Sequence, residues 1–541
     1  MGREASGWVP ERTRVPQPFL LVLGLAATVA GAIIARRLAL PAPIVFVLGG
    51  TLLAFVPGLP AIRIAPDWIF LAVLPPLLFS AGWQTDWKLF RANLRPILLL
   101  AVGLVIVSTI AAAVVAERIL PELSWAGAFV LGAIVSPPDA VAAGAIFERF
   151  SIPRRIVAVV EGEGMINDAT ALVIYGYAVA AVATGAFSLP AAALSFVVIA
   201  SGGIAVGLGV TWLVIQIIRL LKRYELDDAT IENVVLIAAP YGAYLGGQAL
   251  HVSAVLATVV AGIALARRSV VFTPEGRLIG INVWTLWIYL INAFLFLAIG
   301  LQVRTIVRDD PHALGLLPPA LAISAVLVVV RLLWVYPAAW LPRQIPAVAR
   351  RDPLPPWPYL AVIGWSGMRG IVSLAAALAL PLTTANGAPF PGRDAIAVVT
   401  FVVILVTLVG QGLTLIPILQ WLHVSEDGDP AARDIAARIA ALEEGLHELR
   451  TLDAQAADPQ QHEIVQRQID EYVHRIEHLR GHEGHRVPDE SSASKYDHDV
   501  QWRALQAERR KIATLRDDGK IPDEVFRTIQ YDLDLAESRL L

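Results

Sequence analysis

The sequence predicts an all-α polytopic membrane protein with about thirteen transmembrane helices, followed by a helical cytosolic tail. In the 541-residue chain 56% of the residues are hydrophobic and only 16% are charged, against about 25% charged residues in soluble domains. Apolar runs long enough to cross a hydrocarbon core of about 30 Å recur up to Leu422. Beyond His423 the chain becomes charged, with apolar residues at the spacing of amphipathic helices in water.

These changes in composition predict three segments: an N-terminal extramembrane segment 1–16, a transmembrane domain 17–423 and a cytosolic helical tail 424–541. No small-residue cleavage site follows the first apolar run, so we expect an uncleaved first span. The predicted spans are 18–35, 42–60, 66–84, 94–116, 124–148, 155–182, 189–220, 230–249, 253–267, 279–303, 312–341, 358–382 and 394–422.

The basic residues predict the orientation of the chain. An odd number of spans places the termini on opposite sides of the membrane, and a large charged tail is most simply cytoplasmic. Arginine and lysine then gather in the inside loops, as the positive-inside rule requires. The outside loops hold only Arg63, Arg118, Arg304, Arg308 and Arg393, whereas Arg3, Arg12 and Arg14 oppose the trend. We expect a multi-pass protein of the plasma (bacterial inner) membrane, with its N-terminus outside.

Composition also excludes some functions. The net charge of −3 gives no indication of nucleic-acid binding, and the absence of cysteine excludes disulfides and thiolate metal sites. We expect neither an enzymatic activity nor a cofactor. The tail histidines His474, His478, His482 and His485 could form a metal or proton sensor, but their helical spacing favours a solvated helix face.

The stretch from Val160 to Leu172 places three carboxylates in an otherwise apolar span. Each carboxylate costs about 2.5–3.5 kcal/mol at membrane depth, so an intramembrane acid indicates function. A helix turns by about 100° per residue, so Asp168 and Glu161 lie near one face. Glu163 and Asn167 share a neighbouring face.

Two predicted spans are interrupted. The fifth contains Pro137-Pro138-Asp139, and the twelfth contains Gly364 to Gly370 with Arg369 among three glycines. Prolines and glycines here could simply kink a helix, but their combination with charges favours functional breaks. The positions of the breaks indicate an inverted repeat whose unwound helices cross at mid-membrane. There Asp139 can face the positive half-helix ends and Arg369 the negative ones.

Matched depth pairs two further charges. Glu163 lies about 12 Å from the start of its helix, and Arg331 lies about 15 Å from the inner end of the oppositely directed eleventh span. Buried charges must be paired, so we expect a structural Glu163–Arg331 ion pair. Glu163 is rotated by about 140° from Asp168, which leaves Asp168 to face a cavity.

Several motifs resemble the cation:proton antiporters of the NhaP and sodium/proton-exchanger type. The family pattern Gly-Glu-Ser-Leu-Leu-Asn-Asp is matched by Gly162 to Asp168, and the pattern Thr-Asp-Pro-Val by Pro138 to Val141. Leu74 to Phe79, Phe294 to Leu301 and Gly367 to Gly370 also resemble family segments. The resemblance covers about residues 17–423 and not the tail.

The resemblance implies a homodimer in which an ion-carrying core slides against a dimerisation domain as an elevator. It implies that Asp168 alternately binds a proton and a cation, with Asn167 beside it, and that Glu163–Arg331 is the core ion pair. This chain departs from the family at Gly164, which replaces a serine whose hydroxyl could ligate the ion. Pro138 replaces the threonine before Asp139, Ala140 replaces the following proline, and Ser80 stands where some relatives carry an acid.

We therefore expect a secondary active antiporter that exchanges a monovalent cation for protons and serves pH homeostasis. Na⁺ is the first expectation, with Li⁺ or K⁺ as alternatives, including a K⁺-selective antiporter. Antiporters of related fold that move two protons carry two adjacent acids, whereas here Asn167 leaves Asp168 alone, so we expect electroneutral exchange. Glu161 is interpreted as a cytoplasmic funnel residue. Rival hypotheses are a cation channel with a regulatory tail and an organic-solute transporter.

Overall fold

The computed structural model describes residues 17–56, 69–150, 152–185, 189–226, 228–309, 313–384, 387–424, 430–455, 458–481 and 492–518, with 520, 529–530 and 533. The predicted N-terminal segment 1–16 lies outside the described residues. Residue contacts divide the chain into two units, 1–426 and 427–541, and each is described by itself.

Every described element of regular structure is helical, apart from an isolated bridge between Thr383 and Pro389. The helices of the first unit are α1 (Gln17–Arg37), α2 (Ala42–Ala54), α3 (Leu74–Gln84), α4 (Trp87–Ala92), α5 (Leu94–Ile119), α6 (Trp125–Val135), α7 (Ala140–Phe147), α8 (Arg154–Thr184), α9 (Leu189–Arg223), α10 (Ala229–Ala249), α11 (Ala254–Ala266), α12 (Pro274–Asp309), α13 (Leu317–Trp340), α14 (Pro346–Arg351), α15 (Trp357–Trp365), α16 (Ile371–Leu378) and α17 (Arg393–Leu422). Three π-helical turns interrupt this pattern, at Ile69–Val73 before α3, at Leu99–Leu104 within α5 and at Val406–Gln411 within α17.

Seven stretches of the described chain are long and apolar enough to cross a membrane. They are Leu94–Ile119, Trp125–Phe147, Arg154–Thr184, Ala192–Arg223, Pro274–Arg304, Ala313–Gln344 and Arg393–Leu422. Shorter apolar helices are Ala42–Ala54, Ile69–Gln84 and Ala254–Ala266. The predicted all-α membrane fold is confirmed, and the count of about thirteen spans stays a prediction.

Glycines allow the helices to approach one another closely. A Cβ atom at Gly300 of α12 would lie 2.1 Å from the carbonyl oxygen of Val47 in α2, and one at Gly50 would lie 2.1 Å from that of Leu297. Helices in lipid associate through close van der Waals packing, which small residues permit. The α2–α12 pair therefore depends on glycine at both crossing positions.

The second unit contains the amphipathic helices that the tail sequence predicts, α18 (Pro430–Gln455), α19 (Pro459–Gly481) and α20 (Ser492–Asp517). Helices α18 and α19 form a hairpin around buried Ile439, Leu446 and Ile476. Arg480 pairs with Glu443 across it. Among the described residues no group of three or more His, Asp or Glu side chains could hold a metal ion, and His482 and His485 lie outside those residues.

Candidate ion-binding site

The first break lies between α6 and α7. Helix α6 ends at Val135 and α7 begins at Ala140, because two consecutive prolines remove backbone donors that a continuous helix needs. Asp139 occupies the N-cap of α7, where its Oδ1 accepts a 2.8 Å hydrogen bond from the Val141 amide. The carboxylate is thus placed at the positive end of a half-helix, as the sequence predicts.

The second break lies between α15 and α16, and the two breaks touch. The amide of Asp139 donates a 2.6 Å hydrogen bond to the carbonyl of Met368. Arg369 is 1% exposed, and its Nε donates a 3.1 Å hydrogen bond to the carbonyl of Val135, the last residue of α6. The guanidinium therefore lies at the negative end of a half-helix, and the two opposed charges compensate the dipoles created by the breaks.

The glycines of the second break make room for charged side chains. A Cβ atom at Gly370 would lie 1.7 Å from Oδ2 of Asp139, and one at Gly367 would lie 2.4 Å from Cδ of Arg331. Neither position can carry a larger side chain without moving a charged neighbour. The sequence places glycines at the break, but their contacts with Asp139 and Arg331 appear only in the structure.

Asn167 joins α8 to the first break. Its Nδ2 donates a 2.7 Å hydrogen bond to the carbonyl of Pro138, while its Oδ1 is buried without a hydrogen-bond partner. Burying an unpaired polar oxygen is costly, so the unpaired Oδ1 of Asn167 requires an explanation. A monovalent cation would supply the missing partner, because such ions bind to oxygen ligands beside unwound helices.

Asp168 follows Asn167 in α8 and is 9% exposed. Among the described residues none donates a hydrogen bond to its carboxylate or forms an ion pair with it. A carboxylate in an apolar environment without a protein counter-charge can be neutralised by a proton or by a cation. The arrangement is therefore chemically suited to a site that binds one or the other.

Gly164 explains one departure from the family pattern. A Cβ atom at this position would lie 2.6 Å from Cβ of Ala140, at the first residue of α7. The close approach of α8 to the break leaves no space for the serine of the family pattern. In this chain the site therefore has no hydroxyl ligand at position 164.

Glu163 and Arg331 meet in the core, where both side chains are 1% exposed. The guanidinium Nη1 and Nη2 lie 2.5 and 2.7 Å from the two carboxylate oxygens, and Arg331 Nε donates a 3.1 Å hydrogen bond to the carbonyl of Ile363. This bidentate geometry compensates both charges and joins α8, α13 and α15.

Glu161 is not brought into the cluster. Its side chain is half-buried, nearer the start of α8, and makes no contact with Asp168 in the described part of the structure. Its interpretation as a funnel residue stays a prediction.

Two polar side chains of α17 also contact the second break, and they were not predicted from the sequence. Thr407 Oγ1 accepts a 3.1 Å hydrogen bond from the amide of Arg369, and Gln411 Nε2 donates a 3.0 Å hydrogen bond to the carbonyl of Trp365. Both lie in the π-helical turn and satisfy backbone groups freed by the second break. The signal in the sequence was a Thr and a Gln four residues apart, and therefore near one helix face, in a largely apolar span.

Comparisons with known proteins identify the family of the chain. Residues 24–421 match the family described as "Sodium/hydrogen exchanger, transmembrane". The chain is 34% identical to an uncharacterized Na⁺/H⁺ exchanger of Mycobacterium tuberculosis, over 96% of each chain. It is 31% identical to the sodium, potassium, lithium and rubidium/H⁺ antiporter of Bacillus pumilus, over 95% of this chain and 76% of that protein.

Among solved structures, the sodium proton antiporter MjNhaP1 of Methanocaldococcus jannaschii superposes with a TM-score of 0.55. The alignment covers 77% of this chain and all of that one at 16% identity, so it shows a common fold. The family match extends over most of the chain, and relatives above 30% identity align with nearly all of it. The chain therefore belongs to the transmembrane sodium/hydrogen exchanger family of cation/proton antiporters.

Proposed function

We propose that this protein exchanges Na⁺ for protons at Asp168, in electroneutral one-for-one transport. The proposal rests on two consecutive residues of α8 beside the break that contains Asp139: Asn167, whose buried Oδ1 has no hydrogen-bond partner, and Asp168, whose carboxylate has no protein counter-charge among the described residues. The bound cation would take oxygen ligands from Asp168 and Asn167. A proton on Asp168 would neutralise the same carboxylate, so that the two substrates compete and neither crosses with the other.

Electroneutrality follows from the number of uncompensated acids. Asn167 is a neutral amide, Asp139 caps α7, and Glu163 is paired with Arg331. Only Asp168 then changes its occupancy during the cycle, and the loaded carrier has the same charge in both directions. A transporter that moved one net charge per cycle would respond to voltage by about 2.3 kcal/mol per 100 mV. In proteoliposomes, the exchange rate should not change with an imposed membrane potential.

The transport movement that we propose is an elevator. The contacts between the two breaks, with the Glu163–Arg331 pair and the α17 hydrogen bonds to the second break, hold these helices as one packed body. We propose that this body slides against the remaining helices in a homodimer.

We also propose a plasma-membrane location with a cytoplasmic tail. Because the chain lacks cysteine, single cysteines can be introduced at Arg37, which we expect inside, and at Arg393, which we expect outside. A membrane-impermeant thiol reagent should then label each cysteine only from its own side of the membrane.

Everted vesicles with a pH-sensitive dye test the activity directly. We expect Na⁺ to dissipate the proton gradient. The extent of dissipation by Li⁺ and K⁺, added in turn, measures the cation selectivity. The Bacillus pumilus relative is described as a sodium, potassium, lithium and rubidium/H⁺ antiporter, which supports including K⁺ and Rb⁺. Cation flux that continues without proton movement would favour a channel and would contradict the proposal.

A further inference from the structure

A cluster of arginines surrounds one carboxylate at the end of the first unit where α5 and α8 begin. The side chain of Asp352, which follows α14, accepts from Arg155 Nη2 at 2.5 Å, from Arg343 Nη2 at 2.7 Å and from Arg95 Nη2. Three guanidinium groups thus share a single carboxylate. The cluster carries an excess of positive charge that a second anion would compensate.

Beside this cluster a groove of about 690 Å³ runs along the first turns of α5. Its polar end is formed by Arg91, Arg95 and Asp352. Arg91 is exposed, and no described residue accepts a hydrogen bond from its guanidinium. This side chain therefore remains available to an anion at the mouth of the groove.

The rest of the groove is apolar. Leu98, Leu99, Val102 and Gly103 line it, and Leu98 is 42% exposed. Trp334 of α13 packs against this part of α5, since its Nε1 donates a 3.0 Å hydrogen bond to the carbonyl of Leu99. These residues belong to a stretch long and apolar enough to span a membrane, so we expect this surface to face lipid chains.

We propose that this groove binds an anionic phospholipid, with its phosphate at Arg91 and Arg95 and an acyl chain along Leu98 to Gly103. Charge complementarity and shape both favour this occupant: the basic end matches an anionic headgroup, and the apolar part continues in the direction of the bilayer. A soluble phosphate compound would use the arginines and leave the apolar wall uncovered. A neutral phospholipid would leave the positive excess uncompensated.

Native mass spectrometry of the full-length protein, released from detergent with defined lipids, tests the proposal. We expect retention of phosphatidylglycerol in preference to phosphatidylcholine. Each arginine near the membrane contributes about fivefold to the affinity for an anionic lipid. Arg91→Gln should therefore weaken phosphatidylglycerol retention about fivefold, and Arg91→Lys should restore most of it. Arg91 is the residue of choice because it lies outside the Asp352 cluster and its replacement does not disturb that cluster.

Arg37→Gln is the matched control, since Arg37 is an exposed arginine at the end of α1 and does not line the groove. It should leave lipid retention unchanged. Equal retention of both lipids, or equal weakening by Arg37→Gln, would overturn the proposal. Competition by glycerol 3-phosphate as effective as that by phosphatidylglycerol would show a soluble-anion site instead. Retention of neither lipid would show that another part of the protein fills the groove, and would also overturn it.

Discussion

Helix α8 carries two buried carboxylates five positions apart. One has a protein counter-charge and the other has none among the described residues. Glu163 is held by both nitrogens of the Arg331 fork and is 1% exposed. Asp168 is 9% exposed, has no protein counter-charge among the described residues, and follows Asn167, whose buried Oδ1 is unpaired. One acidic residue of α8 is therefore held in an ion pair within the protein, whereas the other is available to a ligand.

This difference separates a carboxylate whose charge is compensated within the protein from one whose charge is not. A buried ion pair is costly to break, since removal of one partner leaves an uncompensated charge. An acid without a protein partner can instead be neutralised by a proton or by a cation. Asp139 is an intermediate case, because only one of its two carboxylate oxygens is engaged. Its Oδ1 accepts the N-cap hydrogen bond from Val141, whereas its Oδ2 lies next to Gly370. The comparison leads to four predictions, in decreasing order of effect.

The largest effect is expected at Asp168. Asp168→Asn should abolish cation-driven proton release in everted vesicles, because an amide cannot exchange a proton for a cation. Since no described ion pair is lost, the variant should keep the melting temperature of the natural chain. Asp394→Asn is the control, because its side chain is 83% exposed. Cation-driven proton release by Asp168→Asn at the normal rate would remove Asp168 from its proposed role.

At the Glu163–Arg331 ion pair we expect substitutions to lower stability, whereas Asp168→Asn should leave it unchanged. Glu163→Ala and Arg331→Ala should each reduce stability by about 3–5 kcal/mol, because each leaves a buried charge alone. The double variant should lose less than the sum of the single variants. Thermal unfolding followed by size-exclusion chromatography measures all three. Strictly additive losses would mean that the pair does not form.

A smaller and more selective effect is expected at Gly370. The methyl group of Gly370→Ala would meet Oδ2 of Asp139 and displace the carboxylate, and a displacement of about 1 Å can reduce a rate by up to about a hundredfold. Gly144→Ala is the matched control, because a Cβ atom at Gly144 in α7 meets nothing within 4 Å. Initial exchange rates in vesicles compare the two. Equal rates would show that the position of Asp139 does not limit transport.

The smallest effect concerns Asp352, a carboxylate outside the membrane spans. Burial acts to raise the pKa of Asp352, but hydrogen bonds from Arg155 and Arg343 and their charges outweigh it and hold the pKa below its usual value. Ionised Asp352 therefore stabilises the fold above about pH 4, the unfolded-state pKa, and this contribution is lost as the pH falls through the lower folded-state pKa.

Asp352→Asn should accordingly lower the melting temperature at neutral pH, by an amount equivalent to about 1 kcal/mol or less, as for other partly exposed pairs. The difference from the natural chain should disappear on acidification below about pH 4. Melting curves of both proteins across the acidic range measure it. A difference that grows at low pH would have the wrong sign for a lowered pKa.

The sequence predicted the parts of the site that follow from periodicity and charge. Helical rotation separates Glu163 from Asp168, depth matches Glu163 to Arg331, and prolines or glycines beside charges mark the two breaks. These features are local or follow from helix geometry. The structure places the two charges of the breaks at the half-helix ends expected for them.

The remaining contacts depend on how helices approach one another in space. The contact of Gly370 with Asp139 and that of Gly164 with Ala140 are set by crossing geometry, which no single helix encodes. The π-helical turn that aims Thr407 and Gln411 at the second break also arises from tertiary packing. The number of transmembrane helices was harder to predict, because short apolar helices such as α2 and α11 lie near the length limit for a span.

We propose that one acid, Asp168, binds either a proton or a cation. Isothermal titration calorimetry with Na⁺ on the purified protein tests it, in two buffers of different ionisation enthalpy at one pH where Asp168 starts protonated. We predict one proton released for each Na⁺ bound by the natural chain and no Na⁺-linked release by Asp168→Asn. Proton release that persists in Asp168→Asn, or Na⁺ binding without release in the natural chain, would contradict the account.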